Sequence, residues 1–273
     1  MDDSSTDDTK NILSVLDFSS YVNRSVSIIY KERNQGINDF IDRGLSMVKG
    51  KYIQLLASDD VLCLNKISEQ VDFLEKYNYD CVYSRGFSYR ESIKEEFYLD
   101  DFKKMFISNK GLEFVSTKDW GRPLTQLGLF KKDLLVNLSQ LRSDYKSDDW
   151  AMLITIFKNY NPGYYGKPLF LYRYHCNNSH MKYWSTLPMR IDVASRLVDE
   201  KYKFNALSNI LASHANSLLC DKKRIDSLRF IAASNIMSFN SSASKVLLRF
   251  FLSYKAWSIL MQGKKYLNNS INR

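Results

Sequence analysis

The stretch Lys49–Leu62, KGKYIQLLASDDVL, decides the interpretation of this fold. Residues 52–57 form a nearly continuous apolar run, interrupted by one glutamine, that ends abruptly at Asp59 and Asp60. Such a run is typical of a central strand that is covered on both faces. Adjacent carboxylates after a buried strand lie where open α/β sheets bind ligands, and hard oxygen ligands suit Mg²⁺ or Mn²⁺ carrying a diphosphate. The alternative is that these acids only cap the helix beginning near Leu64.

Strands and helices alternate around this stretch. Residues 25–30 (SVSIIY) have the β-branched and aromatic composition of a strand, and residues 38–48 have apolar side chains at helical spacing. This alternation predicts an α/β fold of the Rossmann type with a mainly parallel sheet. Further predicted elements are strands at 80–89, 123–130 and 166–174, and helices at 8–16, 64–77, 101–107 and 132–138 and after Asp149.

The last third of the chain differs from the rest in pattern and in charge. From residue 187 the pattern is helical, with candidate helices near 189–204, 206–220, 223–238 and 244–262. Residues 182–273 contain 15 Lys and Arg against 5 Asp and Glu, whereas residues 1–181 are nearly neutral. We therefore predict an α/β domain at 1–181 and a basic helical region at 182–273. The basic and apolar segment 244–262 predicts docking on an anionic membrane surface, unless that face packs on other helices or on the sheet.

The composition limits the classes of protein to which the chain can belong. A chain of 273 residues with 45% apolar and 14% aromatic residues is long enough to bury a core and is not disordered. Four scattered cysteines without a CxxC pair indicate reduced thiols in a cytoplasmic protein. An apolar run of about 18 residues, which would predict a transmembrane helix, is absent, and the acidic start of the chain is unlike a signal peptide. Nucleic-acid binding is disfavoured because no aromatic-basic sheet motif is present.

Five polar clusters follow predicted strands or precede predicted helices. They are Asp2–Asp8, Arg33–Gly36, Ser58–Asp60, Asp148–Asp149 and Arg173–Ser179. Each cluster alone is compatible with ordinary loop or capping chemistry. The clusters are informative because of the order in which they occur along the chain.

Together, these clusters resemble the family 2 glycosyltransferases of the GT-A fold. The resemblance covers about residues 1–180. It rests on DDSSTDD at 2–8, NQG at 34–36, GKYI followed by ASDD at 50–60, DDW at 148–150 and YRYHCNNS at 172–179. It implies a metal-dependent enzyme that moves a sugar from a nucleotide-sugar donor to a surface-glycan acceptor, either a polysaccharide or a lipid-linked glycan, with inversion of the anomeric carbon.

The resemblance also implies roles for individual residues on the donor side. Asp2 or Asp3 would contact the nucleoside, and Asn34 would belong to the donor site. Asp59 would lie near the ribose and the metal, and Asp60 would ligate the divalent cation, Mg²⁺ or Mn²⁺.

On the acceptor side, Asp149 would be the general base that takes the proton of the acceptor hydroxyl. His175 would ligate the metal or contact the diphosphate, although a surface histidine that is hydrogen-bonded in a loop is an equal alternative. Asp148 would be the helix cap beside a functional Asp149.

The chain departs from the family pattern at its start. Met1 falls where the family's second strand ends, so we expect a GT-A-like domain that is truncated at its N-terminus and lacks the first strand and helix. A bacterial-like enzyme of cell-envelope polysaccharide synthesis, cytoplasmic or peripheral on the inner face of the membrane, is the favoured interpretation. The alternative is a catalytically inactive remnant that acts only as a binding or assembly partner.

Overall fold

The computed structural model describes residues 2–19, 25–90, 93–97, 100–118, 123–145, 149–175, 183–238 and 246. Strands and helices alternate over the first two thirds of this part, and helices follow. The strands are β1 (Tyr52–Ile53), β2 (Val61–Leu62), β3 (Cys81–Arg90), β4 (Ile93–Phe97), β5 (Gly128–Lys131) and β6 (Pro162–Arg173). The helices are α1 (Thr9–Val15), α2 (Ile37–Met47), α3 (Lys66–Tyr77), α4 (Asp100–Ile107), α5 (Gly111–Thr117), α6 (Lys132–Asn137), α7 (Ser139–Tyr145), α8 (Trp150–Asn159), α9 (Tyr183–Arg196), α10 (Glu200–Cys220) and α11 (Arg224–Met237).

The strands form one sheet in the order β1-β5-β3-β6-β2, with β4 paired to β3. This confirms the α/β class. The orientation differs from the mainly parallel sheet that was expected, because β3 and β6 run parallel while the other pairs of described strands are antiparallel. For β3 and β4 the reason lies in the connection. Only two residues separate β3 from β4, and so short a link joins antiparallel strands, whereas a parallel pair needs a long crossover.

The stretch 49–62 forms two short strands rather than one long central strand. β1 pairs with β5 at one end of the described sheet, and β2 pairs with β6 at the other. Residues 54–60 therefore connect the two ends of the sheet, and Leu56 is left exposed. The predicted strand 25–30 was also wrong in extent, because in the described part only Tyr30 forms a bridge, to Asp2. An apolar run does not by itself specify ladder pairing, which depends on distant partners.

Side chains of β3 alternate between two apolar layers. Cys81 and Tyr83 face the main core, which helices α4, α5 and α8 complete, whereas Val82 faces α3 with Leu74. This alternation is the period-2 pattern of a strand that is buried on both faces. The start of α8 is fixed to α5, because the indole Nε1 of Trp150 donates a hydrogen bond to the carbonyl oxygen of Val115 at 2.7 Å.

The C-terminal helices contact the same core. Val193 of α9 and Ile210 of α10 belong to the main cluster, and the Asn209 side-chain amide donates to the carbonyl oxygen of Thr117 at 2.8 Å. The predicted helix 244–262 lies outside the described residues except for Val246, which is buried in a cluster with residues of α10 and α11. Within the described part, none of the helices is long and apolar enough to span a bilayer. The boundary between residues 181 and 182 stays a prediction.

Candidate active site

The first turn of the chain is bound to the segment that contains Tyr30. The Asp2 amide donates to the carbonyl oxygen of Ile29 at 2.7 Å, and the Lys31 amide donates to the carbonyl oxygen of Asp2 at 3.0 Å. The buried Asp2 carboxylate accepts hydrogen bonds from the Ser5 amide at 3.2 Å and from the Ser5 hydroxyl. Asp2 therefore stabilises its own turn.

Asp3 connects this turn to the Arg33–Gly36 turn. Its carboxylate accepts hydrogen bonds from the amides of Gln35 at 3.1 Å and Gly36 at 2.9 Å, and it forms an ion pair with Lys31 at 3.3 Å. Hydrogen bonds from Gln35, then Gly36 and Lys31, lower the pKa of Asp3. The Lys31 side chain is almost fully buried and also pairs with Asp39 at the start of α2. Two of the predicted clusters thus form one hydrogen-bonded unit, on which Asn34 is exposed.

The acid pair lies against the end of β6. Asp60 is 8% exposed, and its carboxylate accepts a hydrogen bond from the Arg173 amide at 3.0 Å. Burial, together with the nearby charge of Asp59, raises the pKa of Asp60 to about 6, although the hydrogen bond from Arg173 opposes this effect. Neither acid precedes a helix directly, because α3 begins at Lys66. Capping therefore does not account for them.

Asp59 contacts His175, since Oδ2 of the carboxylate lies 2.8 Å from Nε2 of the imidazole. Asp59 is thus the sequence neighbour of one predicted metal ligand, Asp60, and contacts the other, His175. Among the residues that the structure describes, no group of three His, Cys, Asp or Glu side chains is close enough to hold a metal ion by itself. Two neighbouring carboxylates fit a cation that takes its other ligands from a diphosphate and from water, which is how Mg²⁺ is commonly bound.

Asp149 is the residue before α8, but its side chain makes no capping hydrogen bond to that helix. Instead, its carboxylate accepts a hydrogen bond from the hydroxyl of Thr125, in the 3₁₀ turn Thr125–Leu127. The structure therefore does not support a helix-capping role for the Asp149 side chain. Asp148 lies outside the described residues.

Tyr172 is a half-buried phenol of β6. Its pKa is raised to about 12, first by burial and then by the negative charges of Asp60 and Asp59, with smaller contributions from Tyr174 and Asp149. Asp2 and Asp3 are organised separately, by their hydrogen bonds to residues 29–36.

Two residues of this region were not predicted from the sequence. Thr125 lies 24 positions before Asp149, so nothing local in the sequence indicates their contact. Lys31 follows an apolar segment and precedes a turn, which is an ordinary place for an exposed lysine. Its burial depends on two carboxylates, Asp3 and Asp39, that only the fold brings to it.

The sequence profile described as Glycosyl transferase family 2 matches residues 1–137. Among solved structures, the chain is similar to residues 1–349 of S. aureus TarS in complex with UDP, with a TM-score of 0.52 and 15% identity over 93% of this chain and 82% of that chain.

Two further TarS structures are similar at a TM-score of 0.49 and 17% identity. One is the 1–349 fragment in complex with UDP-GlcNAc, for which 85% of this chain and 71% of that chain are covered. The other is TarS, for which the values are 78% and 37%. At such identities the likeness concerns the fold alone. A comparison with curated proteins finds no match.

Proposed function

The chain belongs to glycosyl transferase family 2, and from this premise we propose that it transfers a sugar from a nucleotide-sugar donor to a glycan acceptor, with inversion and with a divalent cation. Membership in the family makes it a glycosyltransferase. The proposal concerns the donor, the acceptor, the stereochemistry and the metal.

The observation that carries the proposal is that Asp59 contacts His175, Asp60 accepts a hydrogen bond from the Arg173 amide, and Asp149 accepts one from Thr125 and makes none to α8. A sugar transfer with inversion needs a base on the acceptor side of the anomeric carbon and charge neutralisation on the diphosphate side. The acid pair and Asp149 come from separate parts of the sequence and have different partners, which suits these two separate functions.

Asp149 acts as the general base in this mechanism. As the acceptor oxygen forms its bond to the anomeric carbon, Asp149 takes the hydroxyl proton. The bond between that carbon and the diphosphate oxygen breaks on the opposite face, and the nucleoside diphosphate leaves. The sugar passes through an oxocarbenium-like state, as in glycoside hydrolysis. The hydrogen bond from Thr125 orients the carboxylate for this step.

Asp60, with Asp59 and His175 beside it, would hold Mg²⁺ or Mn²⁺ through the donor's diphosphate. The ion would supply positive charge to the leaving group. Asp2, Asp3 and Asn34 are proposed to form the nucleoside side of the donor site. The hydrogen bonds from Gln35 and Gly36 to Asp3 support this, because they keep the two turns together as one surface.

For the acceptor, we propose a glycan of the cell envelope, either a polysaccharide or a lipid-linked chain. S. aureus TarS was solved with UDP and with UDP-GlcNAc, so uridine nucleotides are the first donors to test. A panel of UDP-, GDP- and dTDP-sugars with Mn²⁺ should give hydrolysis or transfer for one donor class. Binding of a nucleoside diphosphate without turnover of any donor would favour the inactive remnant instead.

We further propose that the basic C-terminal region attaches the enzyme to the membrane surface that carries lipid-linked acceptors. The support is the excess of ten positive charges over residues 182–273. Each basic residue near an anionic surface contributes about 1 kcal/mol. The chain should float with anionic liposomes at low salt and be released at about 0.5 M salt, where charges are screened beyond about 4 Å. Deletion of residues 244–273 should abolish flotation, and flotation that survives the deletion would reject this attachment.

A further inference from the structure

Lys66, the first residue of α3, is completely buried. Its ammonium Nζ donates hydrogen bonds to Oε1 of Gln54 and to Oε1 of Gln70, both at 2.5 Å. Both partners are neutral amides. Among the residues that the structure describes, no carboxylate accepts a hydrogen bond from this buried lysine.

Burial of this ammonium is unfavourable by itself. Removal of a charged group from water costs several kcal/mol unless a partner compensates for it. Burial accordingly lowers the pKa of Lys66 to about 7. An apolar side chain of similar length would avoid this cost but would leave the side-chain oxygens of Gln54 and Gln70 without the donor that they have here.

The two glutamines explain what the ammonium does. Each has its oxygen on Lys66, so each must direct its amide nitrogen elsewhere. The amide of Gln54 donates to the carbonyl oxygens of Gln126 at 2.9 Å and Leu55 at 2.6 Å. The amide of Gln70 donates to those of Leu127 and Val82, both at 3.2 Å. Lys66 therefore fixes the orientation of both amides, and both hold the same 3₁₀ turn.

That turn begins with Thr125, whose hydroxyl contacts Asp149. Gln54 in turn belongs to the segment that leads from β1 to Asp59 and Asp60. The buried lysine thus connects the part of the chain that carries the acid pair to the part that holds Asp149.

We propose that Lys66 is a positioning residue for the reaction, which acts through Gln54, Gln70 and the turn at 125–127 to hold Asp149 in place. This inference rests on the proposed function for the role of Asp149. It predicts that the loss of the ammonium frees the two amides to rotate, which loosens the turn and displaces the base from its acceptor.

The first test does not depend on catalysis. Lys66→Met should speed hydrogen–deuterium exchange of the turn amides Leu127 and Gly128, whose bonds to Leu124 and Thr125 depend on the turn. Exchange in α8 should remain unchanged. Lys51→Met is the matched control, because the side chain of Lys51 is 65% exposed and pairs with Glu75 on the surface. Gln54→Met removes one of the two glutamines that accept hydrogen bonds from Lys66. Because Gln54 is only half-buried, this variant is measured in place of Lys66→Met if Lys66→Met does not fold.

The second test uses the donor that the wild-type enzyme turns over. Lys66→Met should reduce kcat about 10- to 100-fold with little change in the donor KM, since misplacement of a catalytic group has effects of this size. Combined with Thr125→Val, it should cause almost no further loss, because both changes act on the same contact.

Unchanged exchange of the turn in both Lys66→Met and Gln54→Met would overturn the proposal, as would additive losses of kcat in the double variant. If the wild type turns over no donor, the proposed function fails, and the exchange experiment still decides whether Lys66 holds the turn.

Discussion

The hydroxyl of Thr125 donates a hydrogen bond to the carboxylate of Asp149, across 24 positions of the chain. This contact turns the carboxylate away from the helix that it precedes. A carboxylate with an external partner has a fixed direction, and a general base needs one to reach the proton of its acceptor.

We expect Asp149→Asn to reduce turnover by about 10²–10⁴-fold, which is the usual contribution of a general base. The asparagine oxygen still accepts the hydrogen bond from Thr125, so the change removes the proton acceptor and little else. Donor affinity, measured by calorimetry, should be retained. If Asp148→Asn abolishes turnover while Asp149→Asn is silent, the two neighbouring acids have the opposite roles.

Asp60→Ala should abolish the Mn²⁺-dependent part of nucleoside diphosphate binding, because it removes the buried carboxylate that is proposed to face the cation. Titration calorimetry of UDP with Mn²⁺, and with EDTA in its place, measures this part directly. Asp72→Ala, at an exposed aspartate of α3, is the control. Equal Mn²⁺-dependent affinity in the wild type and in Asp60→Ala would remove Asp60 from the metal site.

The same residue should make stability depend on pH. The pKa of Asp60 is raised to about 6 in the folded chain, above its value of about 3.9 in an unfolded one. The folded state therefore binds more protons between these values, so its stability falls as the pH rises from 4 to 6.

Asp60→Asn should consequently stabilise the metal-free protein at pH 8 by about 1–3 kcal/mol, and the gain should vanish near pH 4. Chemical denaturation in EDTA at the two pH values measures the difference. A gain that is the same at both values would indicate that the ionisation of Asp60 is not its cause.

Gly36→Ala should destabilise the chain by about 1–3 kcal/mol. Gly36 has φ +87° and ψ 170°, a conformation that side chains with a Cβ rarely adopt, while the space around an added Cβ is open. The cost would therefore come from the backbone. Gly166→Ala is the control, because an added Cβ there makes only ordinary contacts, at 3.7 Å from the ring of Tyr164. Equal melting temperatures for the two variants would refute this strain.

The sequence predicted what depends on local pattern. The family and the α/β class are confirmed, and α3 and α8 lie within two residues of where the spacing of their apolar side chains put them. The motifs also contain Asp59, Asp60 and Asp149, each of which has a hydrogen-bond partner distant in the sequence. Their roles as donor, metal and catalytic residues stay predictions.

What the sequence did not predict depends on distant partners. β5 pairs antiparallel with β3 because of the direction in which the chain returns after α5. The periodicity of a local segment gives no information about that direction. The burial of Lys66 needs two glutamine oxygens, one 12 positions before it and the other 4 positions after it. A lysine at the start of an amphipathic helix would ordinarily be assigned to solvent.

The packing of α9 and α10 against the sheet domain has a consequence for unfolding. Val193 and Ala194 are completely buried in the main core, and Asn209 caps the carbonyl oxygen of Thr117 at the end of α5. Elements that share one core lose their stability together. We expect fluorescence and circular dichroism to follow a single denaturation transition, and a protein cut after residue 181 to be readily digested by proteases, because α9 and α10 cover apolar side chains of the core that the sheet also lines.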